Sequence, residues 1–567
     1  MKSLALLFTL FLFAAACGGD DDDDGAGTQE ETTTTAEEAV GEAGGSVVLA
    51  GEQIPTGLVT ANGDHNAAWT ADVMQQVWPQ VVTFLPDGTY EVNEEFVEVE
   101  LTNEDPQTVE YRINEEAVWS DGTPITAADF VFTWESQSGI DHPTEVDPES
   151  GEPVDLYNAA GTTGYDVQTC EEGDDEKHVV CEYSEPYADW YALFAPVLPV
   201  HAFEAEGDGD TVAAFNDGFV YPDINLDNVP SGGPYVISEI DGESSVTLAR
   251  NESYWGTPGL LDEILVRWIT DGTQHPAALE NREIDVTWAQ AQIDLVQQTQ
   301  ALSGVTTDVT FGTFYEHIDF NFTNAHLAKR EVRQAIAKAL DRAAIVERIP
   351  AQMAPDSEVL NSHFFYPGGA AYVPNGEEEY GAQDLDAAAA LLEGAGYTLG
   401  GDGVYTHPTD GPLAVRFVWR DPNPRREQTA QLVQAQLADA GIQINLSPAP
   451  DFGFLDSGDY DIAMFGWTNI TVPSGKTDIY STGGGSNYGS YSNPDADDLF
   501  AEADVDLDPD SRSDTLNRID EILWQDVPVI PLFQVPEFTA NRDTVENVQF
   551  NGYEGNSWNM NTWALVV

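Results

Sequence analysis

The chain has 567 residues, of which 100 are Asp or Glu and 20 are Lys or Arg, so its formal net charge is −80. This balance excludes nucleic acid as a partner, because contacts to phosphate need a basic surface. Repulsion between so many like charges strains a compact protein at low salt, whereas a Debye length of about 3 Å at 1 M salt screens most of it. We therefore expect a halophilic acidic protein; the alternative is a moderately acidic secreted one.

The N-terminus has the pattern of a targeting segment. A lysine precedes the apolar run Leu4 to Ala16, which at thirteen residues is shorter than a membrane-spanning helix. The following Cys17 and the small residues before it resemble a bacterial lipobox, although Ala14 stands where Leu is usual. We predict a lipoprotein signal peptide over residues 1–17 and lipidation of Cys17; plain cleavage that leaves a free thiol is the alternative.

Residues 18–45 have no apolar periodicity and include the acidic run Asp20 to Asp24. A segment of this composition buries too little apolar surface to offset the entropy lost on ordering, so we predict a disordered acidic tether. Fully stretched, such a tether reaches up to roughly 100 Å. Calcium binding by Asp20 to Asp24 is the less favoured alternative, because a flexible run has no fixed coordination geometry.

Residues 111–134 predict a strand, a turn and a helix in succession. Alternation around Tyr111 predicts a half-buried strand, and Ser120-Asp121-Gly122 is typical of a tight turn. Thr126 stands as a helix N-cap, with Asp129 at the capping-box position. The whole stretch resembles the signature of the family 5 extracellular solute-binding proteins, which are the peptide-binding receptors of ABC importers. The alternative is a strand, turn and helix of some other α/β protein.

Two further cysteines, Cys170 and Cys181, flank an acidic loop, and the residues on both sides have the pattern of strands. The pair thus stands at the neck of a predicted hairpin, and in an oxidising compartment it should form a disulfide. Closing this loop would stabilise the fold by roughly 2–3 kcal/mol through the lost chain entropy. A metal site is the alternative, but two cysteines with His178 lack a fourth ligand.

Other segments of the body follow the same family in its order along the chain. The segments that resemble it are Val197 to His201, Ser231 to Tyr235, Arg250 to Trp255, Leu279 to Val286, Tyr315 to Asn321 and Glu331 to Arg342. Periodicity also predicts helices over Asp72 to Val82, Ala387 to Leu392 and Arg426 to Ala440, a buried strand over Asp459 to Trp467, and a helix that begins at Asn493-Pro494. The resemblance thus covers nearly all of residues 46–567.

This resemblance implies an α/β protein of the two-lobed periplasmic-binding-protein-like fold, type II and cluster C, with an interlobe cleft and two chain crossings. Lobe I is expected to comprise residues 46–300 and 532–567, and lobe II residues 301–531. The chain length agrees, because about 520 residues after the tether are too many for one core. Closure of the lobes over a ligand by hinge motion is implied as well.

The resemblance also places ligand contacts at the end of the strand that closes with Gly466-Trp467. In peptide-binding relatives the next loop carries an aspartate that pairs with the amino terminus of the peptide, and Ile470 stands at that position here. Because a missing carboxylate leaves an ammonium group unpaired, this departure weakens the case for free peptides. Backbone groups from Gly466 to Asn469 stay candidate contacts for a peptide or a sugar.

Four side chains elsewhere are candidate ligand contacts. Asn487 and Tyr488 lie in a glycine-rich loop and offer polar and stacking contacts. His65 and Trp69 follow the first strand, where the family often borders its cleft. For each candidate the alternative is a packing or solvated residue, and for His317, inside a predicted strand, we favour that structural role.

No catalytic or metal-binding motif stands out in the sequence. His-Glu-x-x-His and Gly-x-Ser-x-Gly do not occur, and among 100 acidic residues no glycosidase pair can be singled out. The run Asp504-x-Asp506-x-Asp508 departs from a calcium loop, because Pro509 takes the place of the glycine. We therefore expect no enzyme, no metal and no cofactor.

The function implied by the resemblance is that of a lipid-anchored, extracytoplasmic receptor of an ABC importer. Such a receptor would capture a peptide or similar small solute as a monomer and deliver it to permease subunits. It would lie at the outer face of the cytoplasmic membrane or in the periplasm. The alternative is a non-transport envelope protein of the same fold, which binds a lipid-linked glycan or acts as a scaffold.

Overall fold

A computed structural model describes residues 43–86, 88–139, 157–467 and 472–566 of the chain. These residues belong to one unit, Gly41–Val567. The predicted signal peptide, Cys17 and residues 18–42 of the predicted tether lie outside the described residues, as do Asn469 and Ile470. Signal cleavage, lipidation and disorder of the tether therefore stay predictions.

Strands alternate with helices along the body, which gives the chain its α/β character. Among the described residues the strands are β1 (Ser46–Gly51), β2 (Val82–Phe84), β3 (Tyr90–Val92), β4 (Val97–Glu104), β5 (Gln107–Ile113), β6 (Gln168–Glu172), β7 (His178–Tyr183), β8 (Tyr235–Asp241), β9 (Ser245–Arg250), β10 (Glu263–Trp268), β11 (Val286–Thr287), β12 (Val305–Phe320), β13 (Thr398–Leu399), β14 (Tyr405–His407), β15 (Gly411–Pro412), β16 (Ala414–Trp419), β17 (Gln443–Leu446), β18 (Ile462–Trp467), β19 (Val529–Arg542), β20 (Val545–Glu546) and β21 (Ala564–Leu565).

The α-helices of the described residues are α1 (Ala68–Met74), α2 (Ala127–Gln137), α3 (Val200–Glu206), α4 (Thr211–Asp217), α5 (His275–Asn281), α6 (Ile293–Gln300), α7 (Arg330–Ala339), α8 (Arg342–Arg348), α9 (Glu377–Tyr380), α10 (Leu385–Gly394), α11 (Pro424–Asp439), α12 (Gly453–Asp456), α13 (Thr477–Tyr480), α14 (Pro494–Asp504) and α15 (Pro509–Asp526). Short 3₁₀ turns occur at Trp190–Ala192, Leu226–Asn228, Gly272–Gln274, Pro350–Gln352, Pro473–Lys476 and Met560–Thr562.

One mixed sheet runs through the body in the order β17-β16-β18-β12-β19-β11-β1-β10-β9-β8. At one side β1 pairs in parallel with β10 and β11, and at the other β16 pairs in parallel with β17 and β18. The central strands β12 and β19 pair antiparallel with each other and with their outer neighbours. Parallel strands separated by helical crossovers are typical of α/β folds.

The two long strands β12 and β19 carry the chain between the two sides of this sheet. Their register shifts between Phe311 and Tyr315 of β12 and again after Glu316. Before the first shift, β12 lies beside the part of β19 that pairs with β11; after it, β12 pairs with β18. These strands are the two predicted chain crossings, and the shift at residues 312–314 marks the place where the two sides join.

Two large hydrophobic cores occupy the two sides. The first is built by residues between Val47 and Trp288, together with Met560 and Trp563 from the C-terminal segment. The second is built by residues between Ile318 and Val535. Two cores joined by two crossings make up a two-lobed α/β architecture. The lobe bounds, 46–300 with 532–567 and 301–531, stay predictions.

The strand, turn and helix expected over residues 111–134 are confirmed. β5 ends at Ile113, and the capping box of α2 is complete: the backbone N–H of Thr126 donates to Oδ2 of Asp129 at 2.9 Å, and the Thr126 side chain caps the N–H of Asp129 in return. Oδ1 of the same aspartate accepts a hydrogen bond from the backbone N–H of Val200 at 3.0 Å. The box therefore also fixes the start of α3 against α2.

The disulfide between Cys170 and Cys181 is confirmed. The two cysteines lie directly opposite each other on β6 and β7, with their Cα atoms 4.1 Å apart. These strands belong to a four-stranded sheet of order β4-β5-β7-β6. The bond therefore ties the edge strand β6 to an inner strand of the same sheet.

Two predicted helices have different bounds in the structure. The helix expected over Asp72 to Val82 begins earlier and ends at Met74, because Pro79 lacks the N–H that a longer helix would need. The helix expected over Glu331 to Arg342 is divided into α7 and α8. The reason is Asp341, whose side chain accepts a hydrogen bond from the backbone N–H of Ala344 at 2.9 Å and so caps a new helix.

Candidate ligand-binding cleft

A cavity of about 680 Å³ lies between the first core and the two crossing strands. Its sides are formed by α1, by residues 288–291 after β11, by residues 553–556 near the C-terminus, and by Phe314 of β12 with residues 535–538 of β19. This volume is within the range of small-ligand sites. Because the cavity touches both crossings, a movement of one lobe against the other changes its shape.

Aromatic rings give the cavity flat apolar surfaces. Trp69 and Trp288 both line it and stack on each other, with ring centroids 5.4 Å apart and planes within 6°. Trp268 packs edge-on against Trp69 at 5.8 Å and holds this stack in place. The other aromatic lining residues are Tyr165, Phe314, Phe538 and Tyr553. Such surfaces bind ligand rings, apolar chains or cations.

Four carboxylates line the cavity: Glu52, Asp72, Glu537 and Glu554. Among the described residues, no lysine, arginine or histidine lines it. Side-chain amides also line the cavity, and these are the amides of Asn66, Gln75, Gln80, Gln137, Gln290 and Asn556. The cavity therefore presents a negative potential to a ligand.

Burial changes the acidity of these carboxyl groups. Removal from water disfavours the charged form and raises the pKa of Asp72, Glu537 and Glu554 each to about 7. Burial also raises the pKa of Glu52, although a hydrogen bond from the backbone of Gln290 opposes the shift. Asp72, Glu537 and Glu554 thus exchange protons near neutral pH, and a cation placed beside them would favour the ionised form.

Asp72 and Glu554 already have hydrogen-bond donors within the protein. Glu554 accepts from a backbone N–H at 2.6 Å and from Nε2 of Gln75 at 2.8 Å. Asp72 accepts from the hydroxyl of Ser557 at 3.1 Å and from the indole N–H of Trp288 at 3.4 Å. These bonds tie the C-terminal segment to α1 and fix the shape of this side of the cavity.

Glu537 differs from them, because its carboxylate accepts no hydrogen bond from the described residues. The charge of Arg425 offsets only part of the rise in the pKa of Glu537. That guanidinium is itself paired with Glu316 at 3.0 Å and lies 5.6 Å from the centroid of the Phe314 ring. Glu537 is thus the lining carboxylate that a ligand can use without breaking a bond inside the protein.

The predicted residues near the end of β18 come together beside the crossing. Trp467 and Tyr488 stack with ring centroids 6.1 Å apart, and His317 stacks on Trp467 at the same spacing. Gly466 lies directly against the ring of Phe314, which lines the cavity. Gly466, Trp467 and Tyr488 themselves are not among the lining residues. Trp467 and Tyr488 pack instead against Phe465, in a cluster apart from the two large cores.

The other predicted residues are dispersed. Trp69 lines the cavity. Asn487 is engaged in its own loop, since Nδ2 donates to two backbone carbonyls at 2.7 and 2.8 Å and Oδ1 accepts a backbone N–H at 3.0 Å. His65 is buried outside the lining, and Asn469 lies outside the described residues. Ligand contact by any of these residues stays a prediction.

Sequence reasoning missed Asp72, Trp288, Glu537 and Glu554. Asp72 and Glu554 are far apart in the chain and line the same cavity only because the C-terminal segment returns to α1. Glu537 had a sequence signal, since it is a charged residue inside the largely apolar strand β19. A charge in such a place is costly unless it is paired or used.

The described residues carry neither a membrane span nor a metal site. None of their helices combines the length and the apolar character that crossing a bilayer requires. Within the same residues, no three His, Cys, Asp or Glu side chains are arranged to hold a metal ion. The four cavity carboxylates are thus spread over its walls and do not converge on one point.

A comparison with protein families identifies the chain. The family described as bacterial extracellular solute-binding proteins, family 5 Middle, matches residues 92–490. The chain belongs to the family 5 extracellular solute-binding proteins. This family 5 protein is 31% identical over 526 residues to the oligopeptide-binding protein OppA of Mycobacterium tuberculosis, with 90% of this chain and 83% of the relative covered. It is 26% identical over 521 residues to an uncharacterized lipoprotein of the same species, with 85% and 86% covered.

Solved structures share the fold of this family 5 protein. The periplasmic EDTA-binding protein EppA matches with a TM-score of 0.86 at 27% identity, over 95% of this chain and all (100%) of that one. The oligopeptide-binding protein AppA from Bacillus subtilis, solved with a nonapeptide, matches with a TM-score of 0.73 at 20% identity, over 93% and 100%. The predicted family and the two-lobed α/β fold are confirmed.

Proposed function

We propose that this family 5 protein is the solute receptor of an ABC importer. It captures a peptide or similar small solute in the cavity, holds it without altering it, and delivers it to permease subunits in the membrane. The observation that carries this proposal is the cavity of about 680 Å³ at the two crossing strands, with its stacked tryptophans and the carboxylate of Glu537 on its wall. Similarity to an oligopeptide-binding protein over 90% of the chain supports peptides as cargo.

We also propose that the protein acts outside the cytoplasm, anchored by lipid at Cys17 to the outer face of the cytoplasmic membrane. The small residues before Cys17 and the similarity to a lipoprotein support this anchor. The bond between Cys170 and Cys181 supports an oxidising compartment. The acidic tether would let a monomeric receptor reach its permease, and the net charge of −80 supports a salty medium.

In this proposal the cargo lies between lobe I, residues 46–300 with 532–567, and lobe II, residues 301–531. The stacked pair Trp467 and Tyr488 would close the cavity from lobe II, while Trp69 contacts the cargo from lobe I. Binding draws on apolar burial and hydrogen bonds, and no bond of the cargo is broken. A micromolar dissociation constant corresponds to about −8 kcal/mol, which contacts in a cavity of this size can supply.

Native mass spectrometry of the purified protein tests this function. We expect one small solute per chain, released unchanged on denaturation. Ala71 lines the cavity on α1, so Ala71→Trp should fill it and abolish retention. Ala438→Trp, on an exposed position of α11, is the matched control and should retain the solute. Retention by both variants would place the site elsewhere, and a lipid-linked glycan in place of a peptide would favour the non-transport alternative.

A further inference from the structure

We propose that the cavity selects solutes that carry a positive charge, and that Glu537 is the counter-ion for an ammonium or guanidinium group of the cargo. The proposal rests on the proposed function, since it takes the cavity as the cargo site, and it names the chemistry of the cargo.

The charges of the cavity walls are one-sided. Four carboxylates line it, and no basic side chain of the described residues does. The charge of Arg425 acts on Glu537, but this guanidinium has another partner, because Arg425 and Arg426 both pair with the buried Glu316, at 3.0 and 2.8 Å. A cationic cargo would neutralise the walls, whereas an anionic cargo would add repulsion.

The unpaired groups of the cavity are acceptors. The carboxylate of Glu537 has no donor among the described residues, and Oδ1 of Asn556, another lining residue, is buried without a hydrogen-bond partner. A buried acceptor without a donor is costly, so Oδ1 of Asn556 favours a ligand that brings an N–H group, and the half-buried carboxylate of Glu537 can accept one as well. Asp72 and Glu554 already accept protein hydrogen bonds and serve as a second, weaker set of acceptors.

The surroundings of Glu537 suit an organic cation. Phe314 and Phe538 line the cavity on the same two crossing strands, and the stacked rings of Trp69 and Trp288 line it from lobe I. Aromatic faces attract ammonium and guanidinium groups and pack against the alkyl chains that carry them. A metal ion fits less well, because no three ligating side chains among the described residues converge on one point.

Glu537 lies on β19 at the place where the two crossing strands change register. A Cβ atom on Gly312 of β12 would lie 2.6 Å from Oε2 of Glu537, so this carboxylate lies against the register shift where the two sides of the sheet join. A cargo cation that binds Glu537 therefore contacts the joint directly. The structurally similar EppA is described as binding EDTA, a polyanion; the walls of the present cavity have the opposite preference.

Three peptides of similar size that differ in the presence and place of a positive charge test the inference by isothermal titration at about pH 8. Ala-norleucine-Ala has one ammonium group at its amino terminus, acetyl-Ala-Lys-Ala has one on its side chain, and acetyl-Ala-norleucine-Ala has none. We expect both charged peptides to bind wild-type protein about tenfold or more tightly than the uncharged one. Glu537→Gln should remove this preference while the uncharged peptide binds as before.

A control variant and two different negative outcomes separate failure of the inference from failure of the proposed function. Glu252→Gln removes an exposed carboxylate outside the cavity, with a side chain 86% exposed, and should leave the preference intact. Equal binding of the three peptides, or a preference that survives Glu537→Gln, overturns the inference and leaves the receptor function standing. If none of the three peptides binds, and if wild type and Ala71→Trp retain the same amount of co-purified solute, the proposed peptide receptor is overturned and the inference with it.

Discussion

Asp189 and Arg512 form a buried ion pair between the two sides of the molecule. Nη2 of Arg512 donates to Oδ2 of Asp189 at 2.7 Å, and the side chains are 7% and 0% exposed. Burial alone would raise the pKa of Asp189, but the hydrogen bonds and charge of Arg512 outweigh it and hold the pKa below its usual value. The backbone N–H of Ser474 donates to the same carboxylate at 3.0 Å. This ion pair, which we call the clasp, is therefore a second connection between the two sides, in addition to the crossing strands β12 and β19.

Asp189→Ala should destabilise the protein strongly. It leaves the Arg512 guanidinium buried without a counter-ion, a loss of about 3–5 kcal/mol in the free energy of unfolding. Urea denaturation followed by tryptophan fluorescence measures this. The matched control is Glu502→Ala, which breaks an exposed pair with Arg518 at 3.7 Å and should change stability by less than about 1 kcal/mol. Equal midpoints for the two variants would show that the clasp does not hold the sides together.

The raised pKa values of the cavity carboxyls predict a pH dependence of stability. With folded pKa values of about 7, Asp72, Glu537 and Glu554 bind protons that the unfolded chain has already lost above about pH 4.5. Their contribution to stability is present at low pH and is lost as the pH rises through about 7. The triple variant Asp72→Asn, Glu537→Gln, Glu554→Gln lacks this loss.

The measurement is a pair of thermal unfolding series from about pH 5 to about pH 8 at constant high salt. The difference between the melting temperatures of the triple variant and the wild type should grow in favour of the variant as the pH rises. A difference that stays constant over this range would mean that the three groups have ordinary pKa values in the folded protein.

Binding of a cationic peptide should have the opposite dependence on pH. The ionised form of Glu537 pairs with the cation, so the affinity for acetyl-Ala-Lys-Ala should rise from about pH 6 to about pH 8. Arg425 and its partner Glu316 keep their charges over this range and do not contribute to the change. Titration calorimetry should also detect proton release in the lower half of the range. An affinity that is flat in wild type would contradict a role for Glu537.

Gly312 and Gly552 are in close contact at the crossing strands, so a larger residue at either position should destabilise the fold. A Cβ atom on Gly552 would overlap the Cα atom of Gly312, next to the register shift of β12. Gly552→Ala should therefore cost about 1–3 kcal/mol, since neither backbone can move away without disturbing the strands. Gly401→Ala, where a Cβ meets nothing within 4 Å, is the control and should be close to neutral. Thermal unfolding distinguishes the two, and equal melting temperatures would refute the tight approach.

Features formed by residues close together in the chain could be predicted from the sequence. Thr126 and Asp129 form the predicted capping box, and Cys170 faces Cys181 across the predicted hairpin. β12 begins ten residues before its predicted segment, at Val305. The prediction missed this part because it is rich in Thr and Asp, which occur in loops as well as in strands. Such a strand is stabilised by its long pairing with β19, which no local pattern contains.

The cavity itself could not be predicted in the same way. Its walls join residues as distant as Gln75 and Glu554, which meet through two hydrogen bonds across 479 positions. Among 100 acidic residues, the few that face a cavity look like the many that face solvent. Only Glu537 stood out in principle, because it interrupts an apolar strand. The resemblance to a family located the end of β18, where Gly466 lies against the lining residue Phe314 but does not line the cavity itself.

The central claim is that two lobes close on a cargo that is left intact. Small-angle X-ray scattering of the protein, stripped of solute by partial unfolding and then reloaded with the solute recovered from it, tests this most directly. We predict a smaller radius of gyration after reloading in wild type and no change in Ala71→Trp. A scattering curve that is unchanged while the solute is bound at one per chain would contradict the account.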